Sequence, residues 1–354
     1  MTQKDDLESN ALIKSTSKGL MTSKGRRSQI SLTSDIIKAA AISRASSQVL
    51  VDDSWIQEIW DWADDHKIPG VVIPRDKNAL LAKTYLRFYY YDSYDVIEGY
   101  SDINGYRLRF LPDTICNLSN LEELNISYNI LTSLPENIGK LNNLEELHVD
   151  NNCLTSLPES IGNLSNLSRF NIIFNNVTLL PDSIGNLSNL RRFNIVHNNL
   201  TSLPDSIGNL SNLRRFNIVH NNLTSLPDSI GNLSNLSRFD IVYNNLTSLP
   251  ESIGNLSNLE NLDISYNNLT SLPESIGNLS NLEELNVSNN NLGLLPESIG
   301  NLSNLENLDV SYNNITSLPE SLGSLSNLKY LSIGNTNITT LPSNIDQAKV
   351  NIYW

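Results

Sequence analysis

Apolar positions along this chain fall into one phrase that returns every 23 residues between 121 and 343. It reads LEELNISYNILTSLPENIGKLNN at 121–143 and LENLDISYNNLTSLPESIGNLSN at 259–281. Its opening leucine stands at Leu121, Leu144, Leu167, Leu190, Leu213, Leu236, Leu259, Leu282, Leu305 and Leu328, ten starts with no slip in register. Inside each phrase two apolar residues lie two apart, as Leu124 and Ile126 do, which points both into one face of a strand. An asparagine closes the phrase in nine repeats, from Asn129 to Asn313. An amide kept inside an apolar coil needs hydrogen-bond partners, and the nearest are backbone groups where the chain leaves the strand, so a ladder of asparagines is predicted. The tenth repeat carries Thr336 there, as a terminal unit does. The second half, LPESIGNLSN, holds a proline without an N–H, an N-cap-like serine and a glycine that accepts φ > 0, so it cannot continue a sheet. It should return as a short helix or 3₁₀ segment on the convex side. Strands stacked about 4.8 Å apart then give a curved solenoid with an inner wall of ~45–50 Å.

The consensus LPxxIGxLxxLxxLxLxxN resembles the 23-residue class of leucine-rich-repeat proteins, the bacterial and intracellular type. That likeness implies an α/β repeat fold: a right-handed coil with a concave parallel β-sheet and convex short helical or 3₁₀ segments, behind an N-terminal helical cap. It covers about 230 of 354 residues. It says little about function, because such repeats bind unrelated partners. The class includes bacterial proteins and Ras-pathway scaffolds, and is less like the 20-residue secreted effectors.

Ahead of the repeats the pattern changes. Residues 1–50 hold ten Ser, four Thr and no aromatic residue, a composition that predicts a disordered Ser/Thr-rich basic tail. A short helix over 35–45 fits DIIKAAAISRA, with Ser34 as its cap. The tail reads either as a flexible spacer or as an uncleaved export signal of the type III kind. Residues 51–105 are expected to hold a helical cap, a degenerate first repeat and a Tyr/Asp-rich insertion. The cap helix is predicted over 52–68, with Ile56, Ile59, Trp60 and Ala63 at helical spacing and Asp52, Asp53 or Ser54 at its start. Leu86 and Phe88 fit the inward positions of a first strand. Register then requires about 15 inserted residues, the YYYDSYDVIEGYSDING stretch, which reads equally as spacer or functional loop. Repeats occupy 106–343, and 344–354 should close the stack with a strand in AKVNIYW and Trp354 over its end.

Net charge is −14, with +4 in residues 1–50 and therefore −18 in the rest, so the body is a poor nucleic-acid binder. No apolar run reaches 18 residues, which argues against a membrane span, and the N-terminus lacks the apolar segment of a secretory signal. Two cysteines, Cys116 and Cys153, sit at different repeat positions, so a reducing, cytoplasmic compartment is the simpler reading, with delivery into a host cell as the variant that the tail allows. The Asn-Leu-Ser triplets match the glycosylation sequon but read as by-products of the repeat.

The inner wall carries the functional expectation. In repeats three to six the column after the second buried position is aliphatic: Ile173, Val196, Val219 and Val242. The next column reads Phe174, His197, His220 and Tyr243, and the column before the first buried position reads Arg169, Arg192, Arg215 and Arg238. An apolar stripe edged by arginines marks contact sites, so a protein partner is expected there, on a monomer. Residues 190–212 and 213–235 are identical, so recent duplication is the competing account of the recurring columns. His197 and His220 lack a third ligand, so no metal is expected, and no cofactor motif or catalytic constellation is present. An enzyme confined to residues 1–105 and an intracellular signalling scaffold are the alternatives to a binding module.

Overall fold

The computed structural model describes residues 52–88 and 106–354. The tail, the predicted helix at 35–45 and the Tyr/Asp-rich insertion lie outside them. The chain divides into two units, Met1–Ser54 and Trp55–Trp354, and of the first only residues 52–54 are described.

Each 23-residue phrase makes one coil. The inward pair buries completely: Leu124 and Ile126, Phe193 and Ile195, Phe216 and Ile218 are all at 0% exposure. Three residues around the first of each pair form a strand. These are β1 (Tyr85–Arg87), β2 (Glu123–Asn125), β3 (Glu146–His148), β4 (Arg169–Asn171), β5 (Arg192–Asn194) and β6 (Arg215–Asn217). They continue as β7 (Arg238–Asp240), β8 (Asn261–Asp263), β9 (Glu284–Asn286), β10 (Asn307–Asp309), β11 (Tyr330–Ser332) and β12 (Asn351–Tyr353). All twelve join one parallel sheet in chain order. From β2 to β11 successive partners lie 23 residues apart, as in Phe193↔Phe216. Leu86 pairs with Leu124, a step of 38, so the first coil carries 15 additional residues. Ten 3₁₀ segments, from Asp113–Asn117 to Glu320–Ser324, return the chain on the other side. A single apolar core runs from Ile56 to Ile345.

The closing asparagines form the expected ladder. The Nδ2 of Asn221 donates to the carbonyls of Ile195 (2.8 Å) and Ile218 (3.2 Å), and its Oδ1 accepts from the Leu200 N–H at 3.0 Å. Each amide therefore ties its own coil to the preceding one. Thr336 substitutes bonds within its own coil: its Oγ1 donates to the Ile333 carbonyl at 2.7 Å and accepts from the Ile338 N–H at 3.4 Å. A second ladder was not anticipated. On the exposed edge, Asn212 donates to Ser188 and Asn235 to Ser211, at 2.8 and 2.7 Å.

The helical half differs from expectation in two respects. Proline, not serine, stands at the N-cap, with no side-chain cap bond. The serine lies inside the segment, and its hydroxyl, as in Ser206 and Ser229, is buried without a hydrogen-bond partner. The glycine is not there for positive φ, which none of these glycines adopts. It is there because the next coil passes too close: a Cβ on Gly185 would stand 2.3 Å from the Ser206 carbonyl oxygen.

At the start, α1 (Ser54–Asp65) buries Ile56, Ile59, Trp62 and Ala63. Asp52 accepts from the Ser54 N–H at 3.0 Å, and the Ser54 hydroxyl first and this N–H second draw its carboxyl below the usual range. Trp62, rather than Trp60, is the buried tryptophan, and its ring meets Phe88 edge-on at 5.6 Å. Trp60 is half-buried and donates from its indole to the Pro74 carbonyl at 2.8 Å. The short α2 (Lys77–Leu81) is capped by Asp76, which accepts from Ala79 N–H at 2.8 Å. At the far end β12 pairs with β11, but Trp354 is 64% exposed and does not cover the stack. Ile338 and Ile345 are the buried groups there.

Candidate protein-binding surface

Strand alternation sends the residue on either side of each buried strand position onto the hollow face. The first of these columns holds Arg169, Arg192, Arg215 and Arg238, in register on β4 to β7. The second was overlooked in the sequence reading: Asn171, Asn194, Asn217 and Asp240, then Asp263, Asn286 and Asp309. It was legible, because it sits between the two buried positions of every phrase. Its amides bond along the column, with Asn194 Nδ2 donating to Asn171 Oδ1 at 2.7 Å and Asn171 bonded to His148 at 2.9 Å. The arginines therefore do not edge the apolar stripe directly. An amide column separates them from it.

The aliphatic column follows, with Ile173, Val196, Val219 and Val242 half-buried. That corrects the expectation of a freely exposed apolar stripe. The corresponding serines in flanking repeats, Ser127, Ser265 and Ser288, are buried outright. The reason is local: the chain turns immediately afterwards. Phe174, His197, His220 and Tyr243 all have φ between 51° and 55°, the left-handed region. This backbone costs roughly 1–2 kcal/mol for a residue with a Cβ. Here is the positive φ that sequence reading assigned to the glycines.

Turning in the same way at every coil brings the side chains of this column over one another. Phe174 and His197 stack at 4.3 Å between centroids, His197 and His220 at 4.1 Å, His220 and Tyr243 at 4.2 Å, and Tyr243 and Tyr266 at 4.1 Å. The five rings form a continuous rail from the third repeat to the seventh, with Phe174 half exposed at one end. Burial, then the charge of His220, holds His197 below the ordinary histidine pKa. Among the described residues no group of three or more His, Cys, Asp and Glu could hold a metal ion.

The arginines are not equivalent. Arg169 pairs with Glu146 at 2.9 Å and Arg238 with Asp240 at 2.8 Å. Among the described residues Arg192 and Arg215, between them, have no ion-pair partner. Both are exposed. They flank a groove of 440 Å³ whose lining includes Asn194, Asn217, Arg238 and Asp240. Both cysteines are free, Cys153 exposed and Cys116 buried, the latter with its thiol pushed up to about 12 by burial.

A family model described as "Leucine-rich repeat region" matches residues 100–196, 198–291 and 239–311, and one described as "Leucine Rich repeats (2 copies)" matches 303–346. Among solved structures, the plant peptide hormone receptor RGFR1 in complex with RGF2 is 33% identical with a TM-score of 0.61, over 69% of this chain and 41% of that one. The ectodomain of the Arabidopsis thaliana receptor kinase GASSHO1/SCHENGEN3, in complex with CASPARIAN STRIP INTEGRITY FACTOR 2, is 33% identical at 0.57, over 64% and 29%. The chain thus spans less than half the length of either receptor structure. An internalin (inlF) of Listeria monocytogenes, 22% identical at 0.54 over 69% and 76%, shares the fold. No curated protein matches the chain.

Proposed function

Because this chain belongs to the leucine-rich-repeat family, we propose that it is a non-enzymatic binding module that holds a protein partner on the hollow face of repeats three to six. Leucine-rich repeats are in general protein-interaction modules, and the likeness to RGFR1, which is solved in complex with RGF2, supports a polypeptide partner. One observation carries the location. Two exposed guanidiniums that have no ion-pair partner among the described residues, Arg192 and Arg215, share a wall with half-buried aliphatics and a stacked ring rail. Arginine and aromatic side chains are the groups that most often dominate interface energetics. Duplication accounts for the recurrence of these columns but leaves unexplained why, among the described residues, carboxylate partners are absent at the two central copies. The two free cysteines support a reducing compartment as the place of action.

The test is capture of partners by the full chain, read by mass spectrometry, with Arg192→Glu/Arg215→Glu as the comparison. The variant should lose the partner while its melting temperature stays close to wild type, since exposed substitutions of this kind usually shift stability within about 0.5 kcal/mol. Undiminished capture by the variant would overturn the reading.

A further inference from the structure

The hollow face is electrically divided along its length. Every carboxylate of the first column near the N-terminal end is neutralised: Glu123 pairs with Arg87 at 2.6 Å and Glu146 with Arg169 at 2.9 Å. Next come Arg192 and Arg215, which have no ion pair among the described residues. Beyond the Arg238–Asp240 pair the sign reverses. Asp263, Glu284 and Asp309 face the same hollow, and among the described residues none has a cationic partner within ion-pair distance. Neutral donors hold them in place. Ser265 donates to Asp263 from its N–H and hydroxyl at 3.0 and 2.6 Å, and Asn286 donates to the other oxygen at 3.1 Å. Ser311 treats Asp309 in the same way at 2.9 and 2.6 Å, and Asn261 donates to Glu284 at 2.6 Å. Asp240, Asp263, Glu284 and Asp309 line a second groove, of 370 Å³, which shares Arg238, Asp240 and Asn261 with the first.

We infer that the partner presents an extended, charge-segregated segment laid across the strands, its acidic end over Arg192 and Arg215 and its basic end over Asp263, Glu284 and Asp309. This rests on the concave-face reading above and specifies what that face recognises. Uncompensated charges preorganised by neutral donors meet opposite charges without first breaking an ion pair, and a like-charged segment on either end is repelled. The spacing follows from sheet geometry. The midpoint of β5 and β6 lies about three and a half strand spacings from β9, roughly 17 Å at 4.8 Å each. An extended chain covers that distance in about five residues at ~3.4 Å per residue. The two charge blocks should therefore be centred about five residues apart.

The full chain is titrated against labelled peptides by fluorescence anisotropy. One contains Glu-Glu-Ser-Tyr-Ser-Lys-Lys between Gly-Ser flanks. The other has the same composition with its charges interleaved, Lys-Glu-Ser-Tyr-Ser-Lys-Glu. The segregated peptide should bind at least tenfold tighter, and Arg192→Glu/Arg215→Glu should abolish that preference. A photocrosslinker beside the lysines should label β8 to β10, not β2 to β4. Equal affinity for the two peptides, or binding of neither, overturns the inference. Should that happen while the arginine variant still loses its protein partner, the concave-face reading stands without the charge pattern. Should the variant keep that partner, the concave-face reading itself falls.

Discussion

Gly208 lies in the helical half of its coil with space for no side chain: a Cβ there would stand 2.4 Å from the carbonyl oxygen of Ser229 in the next coil. The obstacle is backbone, which cannot swing aside as a side-chain tip can. Gly208→Ala should therefore destabilise by about 1–3 kcal/mol, the usual cost of overpacking. Ser206→Ala in the same segment should behave oppositely. The Ser206 hydroxyl is buried and unpartnered, so removing it deletes an unsatisfied polar group and keeps the Cβ. Stability should be unchanged or slightly raised. Urea denaturation of the two variants checks the pair, and equal losses would refute this account of the glycine. Sequence reading picked out both positions but assigned them the wrong roles. Gly and Ser in a turn-like phrase look like backbone freedom and capping, and only the neighbouring coil reveals crowding.

Strands and core were readable because their periods are simple: two within a strand and 23 between coils, repeated ten times from Leu121 to Leu328. The ring rail was readable only as a column of letters. That Phe174, His197, His220 and Tyr243 stack follows from their shared left-handed turn, and nothing in those residue types announces positive φ. The amide column was missed for a different reason. Hydrophobic periodicity marks the two buried positions and carries no signal for the polar residue between them. The rail has a consequence for pH. His197 is held below the ordinary value of 6.5 by burial and by His220, so at mildly acid pH the unfolded chain binds more protons than the folded one. Stability is therefore complete above about 6.5 and falls as pH drops from there toward the depressed folded value. His197→Tyr keeps a ring at a position where Tyr243 and Tyr266 already stand, and removes the titrating group. Between pH 7.5 and 5.5 the wild type should lose more melting temperature than this variant. A parallel fall in both would exclude His197 as the source.

At the scale of the whole molecule, stability is local: each coil touches its two neighbours, so the chain behaves as a stack of near-independent interfaces. Residues 190–212 and 213–235 are identical, which makes a clean experiment possible. Deleting 213–235 joins Asn212 to Leu236, the same junction that Asn235 already makes with Leu236, and β5 then meets β7 as β6 did. Every ladder bond has a counterpart across the new seam: the amide of Asn244, which now serves Leu223 and Ile218, would find Leu200 and Ile195 in the same places. The shortened chain should fold into an eleven-strand sheet, with a urea m-value reduced in proportion to the lost surface. Function should not scale in this way. The deletion removes Arg215, leaving Arg192 as the one exposed guanidinium of the first column without an ion pair among the described residues, and brings the carboxylate groove one strand spacing, about 4.8 Å, nearer to it. Partner capture should fall sharply while the circular-dichroism spectrum keeps its shape. A deletion that unfolds would contradict nearest-neighbour stability, and one that folds and still captures as well as wild type would show that grip does not depend on the paired arginines.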